Sequence, residues 1–327
     1  MPDEVVFTQD LKKYFPSRKG VVKAVDGVNL SVPAGQVFGF LGPNGAGKTT
    51  TLRFLTTLIE ADSGQALVAG YDVLKDPDAV RCRIGYVGQS GGSDRPATGR
   101  ENLVLQGRLY GMPKAEVDKR ADELIDLLDL TDFADRIVYT YSGGQRRRLD
   151  VALGIMHRPQ VLFLDEPTTG LDPQNRANLW EQIDKLKATG TTIFLTTHYL
   201  EEADILSDYL AIMDHGHIVA EGTPEALKRE VALDTIRVTL SNPALADTVL
   251  SRVLEGEKIV KSAAQEGDSL RISVDDGGAA LPQIMRALDG ASVAISNISL
   301  STATLDDVFL EKTGRSLRDT AAEGGAR

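Results

Sequence analysis

The chain has 327 residues, a formal charge of −11 and a pI near 5.0. That length allows two domains, and that acidity disfavours nucleic acid as the main partner, because phosphate backbones select basic surfaces. A hydrophobic content of 42% at a mean hydropathy of −0.14 supports a full core, while no run of about 18 apolar residues offers a membrane span.

The opening MPDEVVFTQD lacks the basic and apolar regions of a signal peptide, so no secretory leader is expected. Within residues 4–40, VVFTQDLKKYF and KAVDGVNLSV read as short β runs separated by turns. They predict an antiparallel edge region, which a Pro33-Ala34-Gly35 turn feeds into the apolar strand VFGFL. Residues 42–50 then read GPNGAGKTT, which contains G-x-x-x-x-G-K-T. Glycines let backbone N–H groups turn inward around a phosphate chain, since no Cβ blocks the approach. The following TTLRFLTTLI has apolar residues at helical spacing. Strand, glycine loop and helix start together make an anion site, to which the helix dipole adds partial positive charge. Gly42, Pro43, Asn44, Gly45, Ala46, Gly47, Lys48, Thr49 and Thr50 are therefore candidate nucleotide ligands. In this pattern the lysine reaches the β- and γ-phosphates and the Thr49 hydroxyl binds Mg²⁺.

Downstream, ADSGQALVAGYDV reads turn, strand, turn, and RIGYV is a further strand that runs out near Gln89. Cys82, the lone cysteine, excludes an internal disulfide and is expected to be small and partly buried. SGGSDRPATGR reads as a surface loop. Residues 101–130 are helical in pattern, interrupted at Met112-Pro113, with Val117, Ala121, Leu124, Leu127 and Leu128 on one face. Ser142 is placed to cap a helix through RRRLDVALGIM. VLFLD is a buried parallel strand, followed by a helix over about residues 175–188, the strand TTIFLTT, the helix LEEADILSD and one strand YLAIMDHGHIVAEG. Strands alternating with helices predict a parallel sheet covered on both faces. After about residue 228 the pattern becomes β-α-β-β-α-β, a small ferredoxin-like α+β unit whose first helix is ALADTVLSRVL. A last helix, LDDVFLEKTG, precedes a tail expected to be disordered.

Two more stretches carry chemistry. VLFLDEP sets two acids at the end of a buried strand, where Asp165 would hold Mg²⁺ and Glu166 would polarise an attacking water. YSGGQ opens a helix with an N-cap serine and two glycines, a second anion-binding helix start about a hundred residues from the first. One nucleotide does not easily use both within a single subunit, so this face is expected to meet the γ-phosphate of ATP held by another copy. Taken alone, YSGGQ reads more readily as an ordinary glycine turn before a helix.

With these stretches in order, the chain resembles the ATP-binding subunit of an ABC transporter over about residues 4–225. Residues 42–49 resemble its Walker A motif, 141–145 its signature and 161–166 its Walker B. Gln89 after YVG resembles the Q-loop, TGLD the D-loop and His198 in TTH the switch histidine. Among such proteins it is most similar to the daunorubicin-resistance type of exporter ATPase, in YSGG-RRR-LD, TTHYLEEAD, MDHGHIVAEGT and LDDVFLEKTG. The signature opens on Tyr141, where leucine is commoner, and the C-terminal unit matches in type only.

The resemblance implies an α/β P-loop NTPase: an ABC ATPase domain over 4–228 with a helical subdomain at about 90–158. A small α+β domain over 232–313 and a tail over 314–327 follow. It implies ATP and Mg²⁺ as cofactors and hydrolysis by Lys48, Gln89, Glu166 and His198, with Thr49, Gln89 and Asp165 toward the metal. Tyr14 would stack on adenine, with Phe15 as the neighbouring candidate. Ser142, Gly143, Gly144, Gln145 and Asp172 would serve the ATP of a paired subunit. It further implies an ATP-bound homodimer or paired ATPase, separate transmembrane permease subunits, a place on the cytoplasmic face of the membrane, and export of a drug, antibiotic or lipid. A non-transport ABC ATPase of repair or translation is the alternative; the coiled-coil arms, zinc modules or tandem ATPase domains usual there are not visible. A phosphotransferase would leave YSGGQ unused. Arg146, Arg147 and Arg148 point in different directions on a helix, so one or more support the signature turn or pair with acids. Trp180 reads as a packing residue, and His157, His215 and His217 as surface or turn residues.

Overall fold

The computed structural model describes residues 4–17, 20–231, 233–242, 246–250 and 259–316. They form two compact units, one up to Pro224 and one from Glu225 to Ser316.

The first unit begins with two long strands, β1 (Glu4–Ser17) and β2 (Gly20–Pro33), paired antiparallel with several register shifts. β3 (Val37–Leu41) and α1 (Lys48–Leu55) flank the glycine loop. β4 (Ser63–Val68) and β5 (Tyr71–Asp72) then return to β1, giving a four-stranded sheet in the order β2-β1-β4-β5. The antiparallel region is thus a sheet of its own and not an edge of the main one.

The main sheet starts after α2 (Pro77–Arg81) with β6 (Ile84–Val87). A helical insertion follows, α3 (Gly99–Leu109), α4 (Lys114–Leu127) and α5 (Gly143–Gly154), and then β7 (Val161–Asp165). In α4, Val117, Ala121 and Leu124 face the core, as does Leu128 just past its end; Leu127 is only half-buried, and Ile125 takes the buried place beside Leu124. α6 (Pro173–Ala188), β8 (Thr192–Thr197), α7 (Leu200–Leu206), β9 (Tyr209–Asp214) and β10 (His217–Gly222) complete the unit.

Strand order is β10-β9-β3-β8-β7-β6, parallel except for the β9–β10 pair. The pleat decides the two cores, because alternate residues point to opposite faces. Phe38, Phe40, Phe163 and Phe194 face α1 and the antiparallel sheet, with the Phe194 ring 5.1 to 5.6 Å from the other three. Val37, Leu162, Leu164, Ile193 and Leu195 face the insertion and α6. The expected single strand over 209–222 is in fact a hairpin. His215 (φ 45) and Gly216 (φ 85) both take left-handed backbone, as a tight two-residue turn between right-twisted strands requires. Cys82 is exposed, not partly buried, because it falls just past the short α2.

The second unit holds all but the first residue of α8 (Pro224–Val231), then β11 (Asp234–Leu240), α9 (Ala246–Val249), β12 (Val260–Glu266), β13 (Ser269–Val274), α10 (Gly277–Gly290), β14 (Ile295–Ser301) and α11 (Leu305–Thr313). Its sheet is antiparallel in the order β12-β13-β11-β14, a ferredoxin-like arrangement. Ile236, Val238, Ile272 and Ile284 build its core. The later part of the expected ALADTVLSRVL helix, residues 251–254, and the tail beyond 316 lie outside the described residues.

Candidate active site

β3, β7 and β8 are parallel, so their C-terminal ends deliver the chain to one edge of the sheet, the place where open α/β sheets bind ligands. β3 ends at Leu41 and the chain turns at once. A Cβ on Gly42 would collide with the Met213 carbonyl of β9, and one on Gly47 with the Ala24 carbonyl of β2. The loop is therefore wedged between two strands, with Asn44 and Gly45 exposed. Gly47 caps α1 at φ 111 with no side-chain cap, which leaves the first backbone N–H groups of α1 free for an anion.

Lys48 is buried. Its ammonium donates to the carbonyls of Gly42 (2.6 Å) and Pro43 (3.0 Å) and lies 3.7 Å from Glu166 Oε1. Burial pushes its pKa down, and the charges of Glu166 and Asp165 only partly offset this. Asp165 ends β7. Its Oδ1 accepts from the Thr49 hydroxyl (3.0 Å) and from the buried Thr196 hydroxyl (2.8 Å).

Glu166 leaves the strand in left-handed backbone (φ 45), and its N–H donates to both Oγ1 (3.0 Å) and the carbonyl (3.1 Å) of Thr196. Its Oε2 accepts from the Thr169 hydroxyl at 3.2 Å and sits 3.3 Å from His198 Nδ1. That last approach is a close polar contact without hydrogen-bond alignment, and among the described residues the buried Nδ1 has no hydrogen-bond partner. Burial pushes the Glu166 carboxyl up, but His198, Lys48 and Thr169 outweigh it, and the net is a carboxyl below its usual range.

The structure thus gathers Lys48, Thr49, Asp165, Glu166 and His198 within a few hydrogen-bond lengths. Gln89 is exposed and lines, with Arg53, Tyr110 and Asp165, a groove of about 510 Å³. Tyr14 is joined to the glycine loop by a relay: its hydroxyl donates to Asp26 Oδ1 (2.5 Å), Asp26 N–H to the Gly216 carbonyl (2.9 Å), and Gly216 N–H to the Ala46 carbonyl (2.9 Å). Phe15, beside it, is 39% exposed and lies under Lys13.

A second group assembles at the start of α5. Ser142 Oγ accepts from Gln145 N–H (3.2 Å) while Gln145 Oε1 accepts from Ser142 N–H (3.0 Å), a capping box that occupies the glutamine at home. Ser142 and Gly143 are exposed and Gly144 is buried against Asn175. Asp172 caps α6 by accepting from the Asn175 backbone N–H (2.9 Å) and its Nδ2 (2.6 Å). Among the described residues no hydrogen bond or ion pair joins 142–145 to 42–50.

Sequence reasoning missed Thr196, Thr169 and Asn175, and it left the three arginines unresolved. Arg147 is the buried one. Its guanidinium donates to the carbonyls of Pro167 (2.7 Å), Gly88 (2.7 Å) and Asp165 (3.2 Å), and burial pushes its pKa down. His157 lies in the turn after α5, as expected, but it is half-buried and packed instead of lying free on the surface. Its ring stacks on Tyr110 at 3.7 Å, Nε2 lies 2.9 Å from the Ile84 carbonyl, and burial pushes the imidazole down. Trp180 packs half-buried, with Nε1 donating to Glu202.

Comparison with known proteins follows the same lines. Residues 25–169 match the ABC transporter family, and residues 222–313 match the C-terminal domain of the DrrA1-3-like ATP-binding proteins. The chain is 45% identical to the daunorubicin resistance ATP-binding protein DrrA2 of Streptomyces coeruleorubidus, over 94% of this chain and 96% of that one. It is 44% identical to the daunorubicin/doxorubicin resistance ATP-binding protein DrrA of Streptomyces peucetius, over 99% and 97%. Among solved structures, the ATP-binding cassette MJ0796 in a dimeric, post-hydrolysis state with ADP and Pi superposes with a TM-score of 0.61 at 25% identity, over 67% of this chain and 98% of that one.

Proposed function

The chain belongs to the ABC transporter ATP-binding proteins, alongside the daunorubicin-resistance relatives, and from that premise we propose that it drives export through separate membrane-spanning subunits. It is an ATP-binding ATPase of that family. Among the described residues no helix is long and apolar enough to cross a membrane. Partner permeases would therefore carry the passage and hold this subunit at the cytoplasmic face.

The observation that carries the residue assignment is the meeting of Lys48, Asp165, Glu166 and His198 at one sheet edge. A burial-depressed ammonium gains most from an anionic partner, so Lys48 would exchange its loop carbonyls for the β- and γ-phosphates. Thr49 and Asp165 present hydroxyl and carboxylate oxygens, a donor set that fits a hard cation such as Mg²⁺. Among the described residues no cluster of three or more His, Cys, Asp or Glu could hold a metal alone, so nucleotide oxygens and water would complete the shell. When bound, the ion would neutralise phosphate charge. Glu166, kept ionised, would orient the attacking water and accept its proton, with His198 beside it and Gln89 at the rim of the groove.

Ser142 and Gly143 stand exposed at a helix start that nothing in their own subunit's glycine loop engages. They would close on the γ-phosphate held by a second copy, with Gly144, Gln145 and Asp172 behind them. Tyr14, tied to the loop through Asp26, would stack on adenine. The groove by Gln89 would receive a permease segment and pass the stroke to it. Cargo of the kind named for the relatives, a drug or antibiotic, fits this reading, as does a lipid.

The test is Glu166→Gln. ATP should still bind and should hold the variant as a dimer, while turnover falls by about 10²–10⁴-fold. Undiminished turnover, or full-rate hydrolysis by a strictly monomeric protein, would remove the basis of the assignment.

A further inference from the structure

Tyr199 and Arg176 stack in line on His198 at the edge of the site. Tyr199 follows His198 and opens α7, with its N–H donating to Thr197 Oγ1 at 3.0 Å. Its ring centroid lies 4.2 Å from that of His198, with the planes 38° apart. The Arg176 guanidinium lies over the same tyrosine ring, 4.5 Å from its centroid. Arg176 stands in the first turns of α6, its N–H donating to the Asp172 carbonyl at 3.0 Å. Its Nε is buried without a hydrogen-bond partner, so the aromatic face is what meets that part of the cation.

The imidazole has no aligned hydrogen bond at Nδ1, the atom that faces Glu166. The 3.3 Å approach to Glu166 is thus a loose restraint, and ring packing is left to fix the imidazole more closely. The neighbour whose ring is in contact with it is Tyr199, and that ring is in turn held by a residue of the helix Asp172 caps.

We propose that Tyr199 is a positioning residue for His198, holding the imidazole against Glu166, and that Arg176 ties this ring to the start of α6. The inference rests on the reading of Glu166 and His198 as the hydrolytic pair. A movement of α6, whose Asn175 also abuts Gly144, would then be felt at the switch histidine through two ring contacts.

The experiment measures kcat, nucleotide affinity and thermal unfolding for Tyr199→Ala, Tyr199→Phe, Arg176→Met, His198→Ala and the Tyr199→Ala/His198→Ala double variant. Misplacing a reacting group by an ångström costs on the order of 10²-fold, so Tyr199→Ala should lose about that much kcat with nucleotide affinity unchanged. Tyr199→Phe, which keeps the ring, should restore the rate, and Arg176→Met should lose part of it. The double variant should be no slower than His198→Ala alone, because residues acting through one another are not additive. A wild-type rate in Tyr199→Ala while His198→Ala is slow would overturn the positioning role alone. So would a tyrosine effect that persists without the histidine. A full rate in His198→Ala would overturn the underlying pair. Should Tyr199→Ala fail to fold, Arg176→Met carries the comparison, and a wild-type rate there in folded protein counts against the proposal.

Discussion

Gly144 and Asn175 stand so close that no side chain fits on the glycine: a Cβ there would run into the Asn175 amide oxygen and lie 2.5 Å from its Cγ. The asparagine is not free to swing aside, because Asp172 holds its Nδ2 at 2.6 Å. α5 and α6 therefore meet backbone to side chain, so the glycine in the helix start serves close approach beside the anion binding proposed for it. Gly144→Ala should force the helices apart at a cost of about 1–3 kcal/mol, read by denaturant unfolding. Adding Asn175→Ala should recover part of that loss.

Arg147 makes a second prediction. It is 7% exposed and supplies donors to three carbonyls, those of Asp165 and Pro167 at the end of β7 and that of Gly88 past the end of β6, far away in the chain. Each buried acceptor left without a donor costs about 1–3 kcal/mol. Arg147→Ala should thus lower unfolding stability by more than an exposed Arg→Ala change would. Arg147→Lys should rescue little, since a point ammonium does not reproduce the guanidinium fork. Gly88 precedes Gln89, so the same variants should also loosen the groove there, seen as faster amide exchange at 88–92.

These two residues show where the sequence is legible and where it is not. GPNGAGKTT carries its chemistry locally, in glycines, a lysine and a threonine at fixed spacing. The apolar runs VFGFL and VLFLD announce buried parallel strands by composition alone. Arg147 is one of three consecutive arginines, and only the helix phase against the end of β7 decides which turns inward. Thr196 looks like any β-branched strand residue until β8 is placed between β3 and β7. His157 is packed by Tyr110, which lies just past the end of α3 and 47 residues away in the chain. The turn at His215-Gly216 lacks the usual Asn-Gly or Asp-Gly signal, so a hairpin read as one strand.

Glu166 gives a pH dependence. Its carboxyl lies below the ordinary value of 4.5 because His198, Lys48 and Thr169 outweigh the effect of burial. A group held lower in the folded chain stabilises the fold above its unfolded value and loses that contribution as pH falls through the folded value. The stability difference between the wild type and Glu166→Gln should be flat above about pH 5 and should shrink toward acid pH. Paired urea titrations at several pH values measure it. A difference that grows on acidification would mean the carboxyl is held neutral instead.

Thr196 leads to the last prediction. Its fully buried hydroxyl does two things at once: it donates to Asp165 Oδ1 at 2.8 Å and accepts from the Glu166 N–H at 3.0 Å. Thr196→Val keeps the shape and removes both. The Glu166 N–H still has the Thr196 carbonyl at 3.1 Å, so the larger loss falls on Asp165, whose Oδ1 would keep only the Thr49 hydroxyl. A hydrogen bond to a charged group is worth about 1.5–3 kcal/mol net, which sets the expected loss of stability. The carboxylate would also be held less firmly, and the cation that Thr49 and Asp165 are proposed to bind would need a higher concentration to fill. Turnover of Thr196→Val should accordingly half-saturate at higher Mg²⁺, with binding of nucleotide in chelator unchanged and Thr196→Ser restoring the wild-type curve. An unaltered Mg²⁺ dependence in a destabilised valine variant would leave the hydroxyl a purely structural task.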